Sequence, residues 1–384
     1  MKIPCARSEL RSASSRANPW RTVPAIYLRA SNTFSECSER TMPKFNINWN
    51  VTRACNLRCK HCYYDASTPL EDELTTDEAC ALIDDIAATF GDNVRVTLGG
   101  GEPLVRKDLF ELIEHGTARG LSLLLASNGI LLSEGVAQRL KDAGIEEVII
   151  AIDGMQETHD AVRGKGVFDK AVKGVRACKA AGLSVVLDPC IMKQNERETA
   201  QLLDLAETLG ARQARIFHYI AMGRGKAEIP DDELDRDAYA RNVLTLYEEQ
   251  RKRPELEICT TQACQYWVVL NRKAAAGMPV PEFYFYEVPG CRAGIGMISI
   301  KPNGDVVPCP LLNVKAGNVK EQSLQELLDS AVFTRLRSRA IKGRCGACKF
   351  KELCGGCRVR AYLATGDYMS EDPLCGEAFF EEAE

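Results

Sequence analysis

Short β-rich runs alternate with longer amphipathic stretches from residue 45 onward, the signature of βα units built on a parallel sheet. "FNINWNV" (45–51), "VRVTLGG" (94–100), "LSLLLASN" (121–128), "EVIIAID" (147–153), "LSVVLDPC" (183–190) and "RQARIFHYI" (212–220) read as strands. "TTDEACALIDDIAATF" (75–90) reads as an amphipathic helix with a threonine cap and an acidic first turn, and "AQRLKDAG" (137–144) as one closing at a glycine. Six such units in roughly 175 residues predict an α/β fold, a partial (β/α)6 TIM-like barrel rather than the eightfold one, with its chemistry at the C-terminal ends of the strands.

The texture changes on either side of this region. Residues 1–42, which include "RSELRSASSRANPWR", are rich in Arg and Ser and lack apolar periodicity. They suggest a transit peptide or a start upstream of the one at Met42, and read as a disordered N-terminal extension. The partial barrel is assigned to 43–225. Beyond it "IPDDELDRDAYARNVLTLYEEQRKR" reads as a polar helix and "KAAAGMPVPEFYFYEVPG" as a linker, so that 226–290 form a bridge. A second domain over 291–384 is poor in long apolar elements and is organised by cysteines, so metal is expected to supply much of its folding free energy.

Composition narrows the function. The 384 residues are 45% hydrophobic and 27% charged, without an apolar stretch near the length of about 20 that a membrane-spanning helix needs. A formal charge of −4, from 49 basic and 53 acidic residues, indicates neither nucleic acid nor an anionic membrane as partner. A small molecule or another protein is expected instead. The chain has 17 cysteines, and in a cytoplasmic protein clustered thiols bind metal more often than they form disulfides. Cys5, Cys37, Cys80, Cys178, Cys190, Cys259 and Cys264 are scattered and read as small buried apolar residues.

The others fall into two groups. In "TRACNLRCKHCYYDAS", Cys55, Cys59 and Cys62 form a C-x3-C-x2-C array directly after the first strand. Zinc would need a fourth ligand, and only His61 lies within the array. A four-iron cluster held by three cysteines keeps one iron open. At the end of the second strand, "LGGGEPLV" places Gly99, Gly100 and Gly101 before Glu102 and Pro103, where missing side chains let backbone approach and donate to a ligand.

This combination resembles the radical S-adenosylmethionine (radical SAM) superfamily. The resemblance implies a 4Fe-4S cluster on Cys55, Cys59 and Cys62, with the open iron chelated by the amino and carboxylate groups of S-adenosylmethionine. Gly100, Gly101 and Glu102 would receive the amino end, and Ser127 and Asn128 of "ASNGI" would contact the sugar and carboxylate. In "AIDGMQETHDAVRGKGVFD", Asp153 would face the barrel mouth and Arg163 would pair with the cofactor carboxylate. Turn and cap chemistry is the competing reading for Asp153, His159 and Asp160.

The C-terminal group begins with a C-x12-G-x4-C formed by Cys291, Gly304 and Cys309, within a hairpin turning at "NG". "CGACKFKELCGGC" follows with Cys345, Cys348, Cys354 and Cys357, and Cys375 closes the set. Alone, the middle piece also reads as a zinc knuckle. After such a barrel the series resembles the SPASM extension, which houses auxiliary iron-sulfur clusters. By that resemblance Cys345, Cys348, Cys354 and Cys375 hold one cluster, and Cys291, Cys309 and Cys357 the other. No further cysteine lies between Cys291 and Cys309, so the second cluster is either open at one iron, able to bind substrate, or borrows Cys259 or Cys264 and only relays electrons.

The implied activity is reductive cleavage of S-adenosylmethionine to a 5'-deoxyadenosyl radical, with electrons from a ferredoxin or flavodoxin in an anaerobic cytoplasm. Auxiliary clusters imply an oxidative outcome. "CGGCRVRAYLATGDYMSEDPLC" is similar to the subgroup of alternative haem biosynthesis, haem d1, mycofactocin and tungstopterin-enzyme maturation. Within it the pattern fits decarboxylation of the propionates of a tetrapyrrole, for which Arg224, Lys226 and Arg292 are candidate cations. Maturation of a ribosomally made peptide is the alternative, although residues 1–42 are too short for the usual peptide-binding segment. A non-enzymatic iron-sulfur electron carrier would need the clusters but neither "GGGEP" nor "SNG".

Overall fold

The computed structural model describes residues 45–285 and 287–380; the extension read over 1–42 lies outside the described residues. Strand β1 (Phe45–Thr52) shows how the wall is made. Ile47, Trp49 and Val51 are buried, while the alternating Asn46, Asn48 and Asn50 face a central cavity. In β2 (Val94–Gly100), Val94, Val96 and Leu98 are buried, and Arg95, Thr97 and Gly99 face the same cavity. Successive side chains on a strand point to opposite faces. The apolar half of each strand therefore builds the core, and the polar half leaves a lumen where a closed eightfold barrel would be filled by branched side chains.

Helix α1 (Thr76–Phe90) begins with a capping box, Thr75 Oγ1 accepting from Glu78 N and the Glu78 carboxylate accepting from Thr75 N. The unit repeats through α2 (Leu109–Ala118), β3 (Ser122–Ser127), α3 (Glu134–Ala143) and β4 (Ile145–Ile150). After α4 (Gln156–Arg163) and α5 (Val167–Ala180) comes β5 (Ser184–Leu187), which stops short of the 183–190 read from sequence and resumes as β6 (Cys190–Ile191). Pro189 interrupts it, having no N–H for the ladder, and its carbonyl accepts from Phe217 N at 2.8 Å. Helix α6 (Thr199–Thr208) leads to β7 (Gln213–His218).

Two strands join this parallel array from outside the region read as barrel. Beyond α7 (Gly223–Glu228) and α8 (Arg236–Lys252), β8 (Glu257–Thr261) pairs parallel with β7 and is followed by α9 (Tyr266–Ala275). At the opposite edge β9 (Met297–Ile300), from the cysteine region, pairs parallel with β1. It turns through Asn303 and Gly304 into antiparallel β10 (Asp305–Val307), to which β11 (Gly317–Asn318) adds. The order is β11-β10-β9-β1-β2-β3-β4-β5-β7-β8, with β6 also beside β7. Residue limits at 225 and 290 thus mark no break in the sheet, and the described residues belong to one compact unit. The physical reason is edge protection, since β1 and β7 would otherwise expose unpaired backbone.

The remaining cysteines ride on short helices after the hairpin: α10 (Leu324–Leu328), α11 (Ala331–Arg337), α12 (Gly343–Ala347), α13 (Lys351–Cys354) and α14 (Arg358–Thr365). No helix among the described residues is long and apolar enough to cross a membrane.

Candidate active site

The loop after β1 carries Cys55, Cys59 and Cys62 to the lumen, a cavity of about 720 Å³ that all three line. Cys55 N donates to Ser67 O at 2.9 Å and Ser67 N to Arg53 O at 3.1 Å, closing the loop on itself. Arg224 of α7 clamps it: its backbone N donates to Cys62 O at 3.0 Å, and its guanidinium to Cys59 O at 3.0 Å and Ala66 O at 2.5 Å. The same guanidinium pairs with Asp65 at 2.9 Å. Arg224, which also lines the cavity, is therefore a buried fastening of the cysteine loop, with its guanidinium committed to Cys59, Ala66 and Asp65. Lys226 is exposed and does not line the cavity, whereas Arg292 does, paired with Glu287 at 2.6 Å.

The sulfurs suit a cluster. Leu57 N donates to Cys55 Sγ and Ala66 N to Cys62 Sγ, each at 3.4 Å, and Arg163 Nη1 approaches Cys59 Sγ at 3.9 Å. Such N–H···S contacts stabilise thiolate ligands and tune cluster potentials. Burial pushes the Cys59 thiol up to about 11, so metal must displace a proton to bind there. His61 turns its Nε2 to Asp153 at 3.2 Å instead of joining the sulfurs. Among the described residues no three His, Cys, Asp or Glu side chains gather closely enough to hold a single metal ion.

The glycines at the end of β2 answer to a different need from the one read from sequence. A Cβ on Gly101 would stand 2.0 Å from Ala54 O, and one on Gly100, with φ +125°, 2.3 Å from Thr52 O. The backbone leaving β1 fills that space, so side chains are excluded by the chain itself. Gly101 N and Glu102 N donate to Thr52 O and Ala54 O, both at 2.8 Å, and are not free to donate to a ligand.

Glu102 is fully buried and does not line the cavity. Its carboxylate accepts from Ser127 Oγ at 3.0 Å, Asn128 N at 2.8 Å and Leu104 N at 3.2 Å, tying the ends of β2 and β3 together. Asn128 Nδ2 donates to Asn56 Oδ1 at 2.7 Å and so couples β3 to the cysteine loop. Gly100, Gly101, Ser127 and Asn128 line the cavity, with Glu102 acting behind them as a positioning residue.

Burial pushes the Glu102 pKa up from 4.5 to about 7, against the pull of its three donors. A carboxyl raised in the folded state contributes stability that is fully present below pH 4.5 and is lost as pH rises through 7. Glu102→Gln is expected to flatten the fall in thermal midpoint across this window. An unchanged slope in the variant would assign the fall to another group.

Asp153 and Arg163 meet each other. Arg163 Nε donates to Asp153 Oδ2 at 2.5 Å and Nη2 to Oδ1 at 3.2 Å, while Cys190 N adds a bond to Oδ1 at 3.0 Å. Burial alone would push the Asp153 carboxyl up; the Arg163 charge and His61 outweigh it and hold it well below the usual carboxylate range. Arg163 thus reaches the lumen already neutralised, with Nη1 directed at Cys59 Sγ. His159 and Asp160 follow the turn reading: Asp153 N donates to His159 Nδ1 at 3.0 Å, and Asp160 accepts from Gly166 N at 2.6 Å and Phe168 N at 2.9 Å.

Cys345, Cys348, Cys354 and Cys375 lie within electrostatic reach of one another. Phe350 N donates to Cys348 Sγ, Gly356 N to Cys354 Sγ and Asp372 N to Cys345 Sγ, each at 3.4 Å. Cys291, Cys309 and Cys357 form a second neighbourhood, and all three line the lumen. Asp372, unnoticed in the sequence, knits the two: fully buried, it pairs with Arg360 at 2.7 Å and accepts from Cys357 N at 2.8 Å. Arg215 is another residue that sequence reasoning missed. It enters the lumen from β7, held by Asp188 at 2.8 Å and 3.1 Å. The available signal was a charge on the lumen-facing alternation Gln213, Arg215, Phe217.

A partial parallel barrel that gathers three cysteines, a glycine turn and a second set of thiols around one lumen defines a radical SAM enzyme with auxiliary clusters. Residues 49–206 match the Radical SAM superfamily, and 291–358 an iron-sulfur cluster-binding domain, SPASM. The chain belongs to this superfamily, whose members use a 4Fe-4S cluster and S-adenosylmethionine. It is 37% identical over 338 residues to the AdoMet-dependent heme synthase of Methanosarcina barkeri, covering 86% of this chain and 95% of the relative. It is 35% identical over 354 residues to the pre-heme d1 synthase of Dinoroseobacter shibae, covering 88% of this chain and 87% of that one. Streptococcus suis SuiB bound to S-adenosylmethionine shares the fold, with a TM-score of 0.68 at 18% identity over 87% of this chain and 77% of SuiB.

Proposed function

We propose that this enzyme oxidatively decarboxylates the propionate side chains of an iron-porphyrin, a step of haem synthesis. The observation that carries the reading is the 37% identity to a heme synthase along 86% of this chain. The lumen is compatible with it, because Arg215 and Arg292 bring guanidinium groups to the cavity between the two cysteine sets. Each is paired with one carboxylate, Asp188 or Glu287, and keeps further N–H donors for a substrate carboxylate.

When bound, the cluster and S-adenosylmethionine supply a 5'-deoxyadenosyl radical by reductive C–S cleavage, using electrons from a ferredoxin- or flavodoxin-type donor in an anaerobic cytoplasm. The residues of the chain do the rest. Gly100 and Gly101 would receive an ammonium group through their carbonyl oxygens, since the N–H groups of Gly101 and Glu102 are spent on β1. Ser127 and Asn128 bound the same end of the cavity, and Arg215 and Arg292 hold the propionate toward it. After a hydrogen atom is removed, loss of carbon dioxide forms a vinyl group and releases one electron, which an auxiliary cluster held by Cys291, Cys309 and Cys357 would accept.

An anaerobic assay offering iron-coproporphyrin, read by mass spectrometry, tests this. Each converted propionate loses carbon dioxide and two hydrogen atoms, and 5'-deoxyadenosine accumulates in step. Nucleoside formation with unaltered porphyrin would overturn the substrate, and conversion of a precursor peptide under the same conditions would replace it. Cys348→Ala is expected to retain some uncoupled nucleoside formation while porphyrin turnover is lost. Full product from that variant would remove the electron-relay role.

A further inference from the structure

We infer that Cys264, which belongs to neither cysteine motif, is the fourth ligand of the auxiliary cluster on Cys291, Cys309 and Cys357. The inference rests on the iron-sulfur reading of the C-terminal region and adds a ligand to it from between β8 and α9.

The geometry separates Cys264 from the other scattered cysteines. Its thiol is buried and lies beside that of Cys291. It shares one buried cluster with Cys309 and Cys357, and all four sulfur residues line the lumen. Cys354 is also near but does not line the lumen and keeps to Cys345 and Cys375. Cys259, the other residue available to complete the set, has Arg215, Glu287, Arg292 and Asp188 as its charged neighbours and no cysteine among them.

Neighbouring bonds hold Cys264 in place relative to Cys357. Gln265 Nε2 donates to Asp372 Oδ2 at 3.1 Å, and that same oxygen accepts from Cys357 N at 2.8 Å. Gln265 Oε1 accepts from the Tyr239 hydroxyl at 2.6 Å, and Tyr239 lies against Arg360, the cation of Asp372. One carboxylate thereby sets the register between the start of α9 and the start of α14. A small buried apolar residue would need none of this.

A functional consequence follows from the ligand count. With four thiolates no iron of this cluster is vacant, so the substrate is not ligated there. Such a cluster, held by Cys264, Cys291, Cys309 and Cys357, would supply the acceptor for the one electron that the substrate radical loses.

The test uses the full chain, reconstituted anaerobically, with S-adenosylmethionine saturating the first cluster and cyanide as probe of any vacant iron. Iron and sulfide are counted, and electron paramagnetic resonance (EPR) spectra of the reduced protein are recorded with and without cyanide. The unsubstituted chain and Cys178→Ala, a buried cysteine of α5, are expected to give spectra that cyanide does not change. Cys264→Ala is expected either to lose one cluster's iron and sulfide or to gain a cyanide-sensitive signal. An unchanged metal content together with a cyanide-insensitive spectrum would overturn the inference. If the alanine chain does not fold, Cys264→Ser decides: a shifted EPR signal supports ligation, and a spectrum identical to the unsubstituted one overturns it. Nucleoside and porphyrin products are not read in this experiment, so failure of the proposed reaction and failure of the ligand are seen separately.

Discussion

Cys59→Ala is expected to reduce 5'-deoxyadenosine formation to background, with about four fewer iron atoms per chain after reconstitution. Cys59 is the buried member of its triplet, and its sulfur lies beside Arg163. The loop does not depend on that sulfur for its shape. Arg224 holds the Cys59 carbonyl, and the Cys55–Ser67 and Ser67–Arg53 bonds are backbone to backbone. Alanine therefore removes a ligand while the clamp stays closed, and the two thiolates that remain cannot retain a cluster with an open iron. Chromatography of nucleosides from the reduced, anaerobic enzyme reads the result. Cys178→Ala, equally a loss of one buried thiol but in α5, is expected to keep full nucleoside formation. Sustained nucleoside formation by Cys59→Ala would remove the triplet from the chemistry.

The difference between these cysteines was legible in the sequence, because spacing within one loop is local information. So were β1 to β4, α1 with its threonine cap and the Asn-Gly turn of the hairpin, each specified by neighbours within a few positions. What was not legible depended on partners far along the chain. "EICTT" carries too short and polar a pattern to declare itself a strand; β7 makes it one by offering an unpaired edge. The pairing of β9 with β1 joins the cysteine region to the barrel across about 250 residues of sequence, and no local pattern encodes such a register. Gly100 and Gly101 were found, but their cause lay in the carbonyls of Thr52 and Ala54, visible only once β1 and β2 are placed side by side. Arg224 read only as a candidate cation for the substrate, because nothing local reveals that Cys59, Ala66 and Asp65 surround it. Chemistry was read from spacing, and its support had to be read from the fold.

That support is most exposed to a single change at the pair of Asp153 and Arg163. Arg163→Ala is expected to cost about 3–5 kcal/mol, since it strands a buried charge rather than merely removing a contact. Asp153 has no exposure to solvent, and without Arg163 its carboxylate retains, among the described residues, His61 and the Cys190 N–H. His61 lies inside the cysteine array, so the loss also loosens the loop that carries Cys59 and Cys62. Chemical unfolding of the reconstituted enzyme measures the cost, and nucleoside formation reports the loosening. The double variant Asp153→Asn with Arg163→Met separates charge from packing. A methionine fills the guanidinium's channel without a charge, and an asparagine still accepts from Cys190 N. If the cost of Arg163→Ala comes from an unpaired buried carboxylate, the double variant recovers much of the stability, and the two changes are strongly non-additive. Recovery of stability without recovery of nucleoside formation would then assign the pair a second role, in which the guanidinium beside Cys59 Sγ matters for its charge and not for the fold it helps to hold.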